Sequence, residues 1–325
     1  MIIVTGGSGF IGSALVWGLN ERGHEDILVV DQFETGQKWK NLRSLEYLDY
    51  MNKIQFLEHV ENDTLPYDPD AVLHLGACSA TTEEDLEFLM ENNYRYTKEL
   101  ARWSLEHGAR FLYASSAAVY GDGEKGYSDD HDRIPDLEPL NKYAFSKQRF
   151  DEFALRQGWL NEIVGLRYFN VYGPNEYHKG EMRSVVNKSL PQARDEGVIR
   201  LFQSHRDDIE DGQQKRDFLY VKDAVNMTLH LLENEDTSGI YNIGTGQARP
   251  FDDLAEAIFD ALDEPSRIEY FEMPEHLREN YQYFTEADLT KLRDSGYDQP
   301  ITSLEEAVRD YVTNYLLRDD PYLTS

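Results

Sequence analysis

Two rhythms of apolar residues organise the first half of the chain. Short apolar runs recur at Ile2–Thr5 (IIVT), Ile27–Asp31 (ILVVD), Ala71–Ala77 (AVLHLGA), Arg110–Ser116 (RFLYASS) and Ile163–Asn170 (IVGLRYFN), and they read as buried strands. Between them, apolar residues return at helical spacing over Phe10–Arg22, Glu83–Glu106 and Leu140–Arg156. Strands apolar on both faces, alternating with helices, predict an α/β fold: a doubly wound parallel sheet covered on both sides. Beyond Asn170 the rhythm loosens. Helical patterns occupy Glu181–Glu196, Asp252–Asp263 and Thr285–Leu292, separated by short strands and by the polar stretch SHRDDIEDGQQKRD, Ser204–Asp217. With no internal repeat or low-complexity linker between the halves, we expect one large domain over 1–170, with returning segments near 217–245. A smaller mixed α/β lobe, mainly 171–325, packs against it.

Charge narrows the function classes. Against 32 Lys and Arg stand 61 Asp and Glu, a formal net charge of -29. A surface this acidic repels phosphate backbones and anionic lipid, so nucleic acid and membrane are not the expected partners. It serves either solubility or work in high salt, where screening weakens self-repulsion. Cys78 is the one cysteine, so neither an intrachain disulfide nor a cysteine-rich zinc site is available and no metal site is expected. No apolar run reaches membrane-spanning length, and the first residues enter a strand rather than a signal peptide, which predicts a cytoplasmic protein.

The first strand runs into a glycine-rich turn. Gly7, Gly9 and Gly12 make G-x-G-x-x-G, while Gly6, Gly9 and Gly12 make G-x-x-G-x-x-G, and both open a helix. Residues without Cβ let the backbone approach a pyrophosphate, and the helix N-terminus offers it free N–H groups and a positive dipole end. Asp31 closes the next strand about 20 residues on, where an acidic side chain meets an adenosine ribose. The context predicts a Rossmann-type dinucleotide site. A carboxylate favours NAD, whereas the nearby cations Lys38, Lys40 and Lys53 suit the 2′-phosphate of NADP and tip the expectation that way.

A second motif carries proton chemistry. Tyr143 and Lys147 are four residues apart in LNKYAFSKQRF and so share a helix face. An ammonium near a phenol lowers its pKa and prepares Tyr143 to exchange a proton with a substrate hydroxyl; Lys147 is also placed to bond a nicotinamide ribose. Ser116, at the carboxyl end of its strand, completes a donor set for the same oxygen.

Gly turn, Ser116, Tyr143 and Lys147, in that order, resemble the extended short-chain dehydrogenase/reductase superfamily. The segments GACSATTEED, GLRYFNVYGPNEYHKGEM and YFTEADLTKLRDSGYDQP are similar to one family within it, the heptose 6-epimerases that act on ADP-heptose. The resemblance implies oxidation of the C6 carbinol by a tightly held cofactor, rotation of the ketone and reduction from its other face. It marks Lys179 as a second acid/base. It also implies cofactor contacts at Phe10, Ile11, Asp31, Gln32, Lys38, Lys53, Leu75, Gly76, Ala77, Cys78, Ser79, Asn92, Lys147, Val171 and Lys179. Substrate contacts are implied at Asn170, Glu181, Lys188, Phe202, Gln203, Ser204, His205, Arg216 and Tyr281, with the Arg216 fork suited to a diphosphate. Leu75, Glu181, Lys188 and the long Phe202–Arg216 stretch depart from the family pattern, mainly on the substrate side. Homo-oligomers are common in the family and are expected here.

Overall fold

The computed structural model describes residues 1–33, 35–278 and 281–325. Twelve strands occur among these residues: β1 Ile2–Thr5, β2 Ile27–Asp31, β3 Asp49–Asn52, β4 Ala71–His74, β5 Arg110–Ser116, β6 Val164–Tyr168, β7 Asn170–Tyr172, β8 Ile199–Phe202, β9 Lys215–Tyr220, β10 Gly239–Ile243, β11 Ala248–Pro250 and β12 Ile268–Phe271. The α-helices are α1 Phe10–Asn20, α2 Lys53–Asn62, α3 Leu86–Leu89, α4 Tyr96–Glu106, α5 Lys142–Gln157, α6 Val185–Glu196, α7 Val221–Glu233, α8 Phe251–Leu262, α9 Glu275–Arg278, α10 Thr290–Asp294 and α11 Leu304–Tyr311.

Seven strands form a parallel sheet in the order β10-β6-β5-β4-β1-β2-β3. Side chains alternate between its faces. Val4, Val29, Leu73, Leu112 and Leu166 enter one apolar core, while Ile3, Leu28, Val72 and Phe111 enter the other. Burying both faces is what makes these strands continuous apolar runs. Strand order reverses between β1 and β4, and a ligand crevice is expected at the carboxyl ends there. The remaining strands make a three-stranded sheet, β11-β9-β7, and a two-stranded one, β12-β8. β10 joins the large sheet beside β6, and α7 packs on α1.

Several boundaries differ from the sequence reading. β4 ends at His74 because Leu75–Ala77 turn out of the sheet, with the Gly76 N–H on Thr5 Oγ1 at 3.2 Å. The Glu83–Glu106 helix begins later, where Asp85 caps Phe88, and is interrupted by a π-helical turn, Met90–Arg95. Of the expected helix Thr285–Leu292 only the end, in α10, is helical. Asp217 competes for its start, donating its N–H to Thr285 Oγ1 and accepting from the Ala287 N–H at 3.0 Å. β3 and α2 carried too few apolar residues for their pattern to predict them. Among the described residues no helix is long and apolar enough to cross a membrane.

Candidate active site

At the carboxyl ends of β1, β2, β4 and β5 lies a cleft of about 590 Å³. Its floor is backbone. Gly6 has φ +66°, and a Cβ there would stand 2.6 Å from the Gly76 nitrogen; a Cβ on Gly12 would stand 2.1 Å from the Gly6 carbonyl oxygen. The turn and the loop after β4 therefore touch with no side chain between them, leaving the amino end of α1 open to a phosphate. Gly9, Phe10 and Ile11 line the same end of the cleft. Gly7 does not line it. A Cβ there would point inward, 2.8 Å from the Val4 carbonyl oxygen and 3.0 Å from Val29 Cγ1, so close packing on β1 and β2 requires glycine at this position.

Asp31 is held from four sides. One carboxylate oxygen accepts from the Ser8 N–H and hydroxyl at 2.9 and 2.7 Å; the other accepts from the Gln32 N–H at 2.6 Å and pairs with Lys38 Nζ at 2.5 Å. Lys53 donates to Asn92 Oδ1 at 2.9 Å. Leu75 to Ser79, Gln32, Val171 and both lysines line the cleft.

Ser116 ends β5 and caps the following turn through the Ala118 N–H. Tyr143 and Lys147 face the cleft from α5, whose start is fixed by the Asn141 side chain accepting from the Ala144 N–H. Burial pushes the Tyr143 phenol above its ordinary value, and the adjacent Ser116 hydroxyl opposes the rise. This corrects the expectation of a phenol lowered by Lys147. The ammonium instead donates to the Ala114 carbonyl at 2.8 Å, and burial pushes it down to about 8. Desolvation disfavours charge on both groups and outweighs what opposes it, the Ser116 hydroxyl at the phenol and Asp151 at the ammonium.

Lys179 reaches the cleft from a separate 3-10 turn, Tyr177–Met182. Its ammonium lies 5.4 Å from the centre of the Phe10 ring, and burial lowers its pKa. His178 beside it also lines the cleft, its pKa pushed down to about 4 by burial and by Lys38 and Lys179. Sequence reasoning did not single out His178, Thr81, Phe88 or Phe169, because nothing in their spacing distinguishes them from ordinary loop and core residues.

The expected substrate residues apart from Ser116 lie outside this cleft. Arg216 on β9 is buried between aromatic rings, 5.0 Å from the centre of Tyr281 and 5.8 Å from that of Phe251. Its hydrogen bond runs to the Lys215 carbonyl, burial lowers its pKa, and among the described residues no carboxylate lies in ion-pair range. His205 joins the cluster through Tyr283, whose hydroxyl accepts from the His205 N–H at 2.9 Å. Phe202 packs on Phe271, Gln203 donates its N–H to the Phe271 carbonyl, and Ser204 donates its N–H to Asp211. Asn170 Oδ1 accepts from Thr285. Glu181 and Lys188 are exposed and joined only by Lys188 Nζ on the Glu181 carbonyl at 3.1 Å. The structure thus forms two clusters, one around the Gly turn and one around Arg216.

Known proteins share this arrangement. The model of the NAD dependent epimerase/dehydratase family matches residues 2–244. A curated ADP-L-glycero-D-manno-heptose-6-epimerase of Nitratidesulfovibrio vulgaris is 55% identical over 323 residues, 99% of this chain and 100% of the relative. One from Fusobacterium nucleatum is 49% identical over 332 residues, again 99% and 100%. The crystal structure of the Helicobacter pylori ADP-L-glycero-D-manno-heptose-6-epimerase aligns with a TM-score of 0.79 at 28% identity, covering 96% of this chain and 95% of that one. Thermus thermophilus UDP-glucose 4-epimerase in complex with NAD aligns with a TM-score of 0.74 at 25% identity, covering 96% and 97%. A Gly turn at the switch point, Ser116 at the end of β5, Tyr143 and Lys147 on α5 and relatives matched from end to end agree: the chain belongs to the NAD dependent epimerase/dehydratase family, as an epimerase that uses a nicotinamide cofactor.

Proposed function

We propose that the protein inverts C6 of ADP-D-glycero-β-D-manno-heptose to give ADP-L-glycero-β-D-manno-heptose, with tightly held NADP, supplying heptose for lipopolysaccharide core. The cradle fits such a cofactor: a Cβ at Gly6 would strike Gly76 and one at Gly12 the Gly6 carbonyl, so only glycines let the turn close tightly beneath the amino end of α1, where a pyrophosphate would sit. A bound nicotinamide would supply hydride exchange with C6, removal from one face and return to the other, with no net redox change. Lys38, on Asp31, removes the repulsion that a 2′-phosphate would otherwise meet, and Lys53 adds a second cation; this favours NADP over NAD. Tyr143, deprotonated beside the positive charge of an oxidised nicotinamide, would take the C6 hydroxyl proton while the Ser116 hydroxyl donates to the same oxygen, and Lys147 would bond the nicotinamide ribose. The resulting ketone is exocyclic. Turning about the C5–C6 bond carries its oxygen away from Tyr143, and Lys179 delivers the proton at the new position. Arg216 grips the diphosphate, its buried fork otherwise lacking an anion.

The observation carrying this reading is that Tyr143 and Lys179 line one cleft from separate segments, which is what a two-faced reaction asks of its proton handlers. The substrate-binding lobe we take as mainly 171–325. We read the protein as a cytoplasmic homo-oligomer, and the exposed Leu86 and Phe88 on α3 and Phe145 on α5 support self-association. The test is incubation with either ADP-heptose epimer and no added cofactor. Interconversion is expected; cofactor binding without turnover would leave a scaffold, and turnover of another nucleotide sugar alone would move the substrate. Lys179→Met should abolish interconversion yet retain slow reduction of the bound cofactor.

A further inference from the structure

Lys38 and Lys179 approach the cleft on segments that belong to no strand. Lys38 starts the 3-10 turn Lys38–Asn41, and Lys179 lies in Tyr177–Met182. Without a sheet ladder, something else must fix them. Two buried asparagines do so. Asn41 Nδ2 donates to the Ser8 and Asn175 carbonyls, each at 3.0 Å, and so ties the Lys38 turn to the Gly turn and to the start of the Lys179 segment. Asn175 has φ 77°, a left-handed conformation that Asn tolerates better than most residues, and is fully buried. Its Nδ2 donates to Ser13 Oγ on α1 at 3.0 Å, and its Oδ1 accepts from the Leu323 N–H at 3.0 Å.

That last bond brings in the 319–325 segment, which spans both sides. Toward Lys179, the Tyr177 hydroxyl donates to the Pro321 carbonyl at 2.6 Å and its ring meets Tyr322 edge-on. Toward Lys38, Arg43 pairs with Asp320 and stacks over Tyr322, while Ser325 donates to the Ser44 carbonyl. Leu323 is buried in the core between them.

We propose that Asn175 is a positioning residue for Lys179, and that with the 319–325 segment it clamps the Lys38 and Lys179 turns together over the Gly turn. Left-handed backbone alone would be served by glycine. The side chain is there for the two bonds it makes, to α1 and to Leu323. The activity consequence rests on the acid/base role proposed for Lys179; the clamp itself does not.

Asn175→Gly keeps the backbone conformation and deletes only those bonds, so it separates positioning from strain. Hydrogen exchange of the holoenzyme should show amides in 176–182 and 38–45 losing about tenfold protection while β1, β4 and β5 stay protected. Epimerisation should fall about tenfold in kcat with KM little changed, the size of one or two buried hydrogen bonds. The pH limb of kcat assigned to Lys179 should move upward, because an ammonium released into water regains its ordinary pKa. Tyr177→Phe, which removes one hydroxyl contact, should give the same pattern in smaller measure and serves if Asn175→Gly does not fold. Unchanged exchange in both turns would overturn the clamp, and a fall in melting temperature with an unmoved pH limb would overturn the positioning role of Asn175. Lys179→Met is run beside these variants: if it keeps normal turnover, the Lys179 reading fails, whereas the exchange result judges the clamp independently.

Discussion

The cofactor cleft and the Arg216 cluster are built by opposite means. The cleft is backbone geometry, with the turn after β1, the loop after β4 and the ends of β5 and α5 meeting where the strand order reverses. The Arg216 cluster is side-chain geometry, in which Phe251 and Tyr281 from separate segments flank one guanidinium and Tyr283 and His205 pack edge-on behind Tyr281. Backbone sites tolerate little variation because a single Cβ fills them, while side-chain sites can be rebuilt around a new ligand. The departure in the Phe202–Arg216 stretch falls with the second kind, Leu75 lines the cleft, and Glu181 and Lys188 lie exposed outside both.

The hardest test of this division is Tyr143→Phe. The ring still packs, so cofactor content should hold while turnover falls about 100- to 10,000-fold, the usual worth of a positioned acid/base. Retained turnover within a few-fold would remove Tyr143 from the chemistry. Arg216→Ala comes next, with an expected loss of about 10- to 100-fold in kcat/KM from a charge-assisted contact and an unchanged cofactor content. Arg216→Lys should recover only part, since an ammonium cannot form the fork. If Arg216→Ala loses cofactor as well, the two regions are not separable.

Removing Lys38 and Lys53 together should shift the preference from NADP toward NAD by about 1–3 kcal/mol, read from the two dissociation constants. Equal affinity in the parent protein would exclude that role for them. The smallest effect concerns Lys147. Its pKa near 8 lies below the ordinary lysine value, so its charge is lost as pH rises through 8. Capture of cofactor by the unliganded protein should fall to about half near pH 8, whereas Lys147→Arg, charged throughout, should show no such break. Stability has the opposite slope: from about pH 8 to the ordinary lysine value the unfolded chain holds the extra proton, so the folded state gains as pH rises.

Much of the cleft was legible in the sequence because its parts are local. A strand followed by Gly6, Gly9 and Gly12, an acid at the end of the next strand, and Tyr143 and Lys147 one helical turn apart each declare themselves within a few residues. The apolar runs likewise announced the strands, since a parallel sheet buried on both faces leaves no polar alternation to confuse the pattern. β3 and α2 escaped notice because they sit at the sheet edge, where one face meets solvent and the apolar signal thins.

What the sequence determined by itself is therefore the sheet, the glycine turn and the order of Ser116, Tyr143 and Lys147, all written in short-range spacing and backbone sterics. Tertiary structure decided the protonation balance, the inward packing of Gly7 and the non-helical Thr285–Leu289 stretch held by Asp217. It also decided the meeting of Asn41, Asn175 and Leu323. These depend on desolvation and on hydrogen bonds between residues about 70 to 150 positions apart, and no local pattern encodes either, because the energy of a buried polar group is set by whatever the fold happens to place beside it.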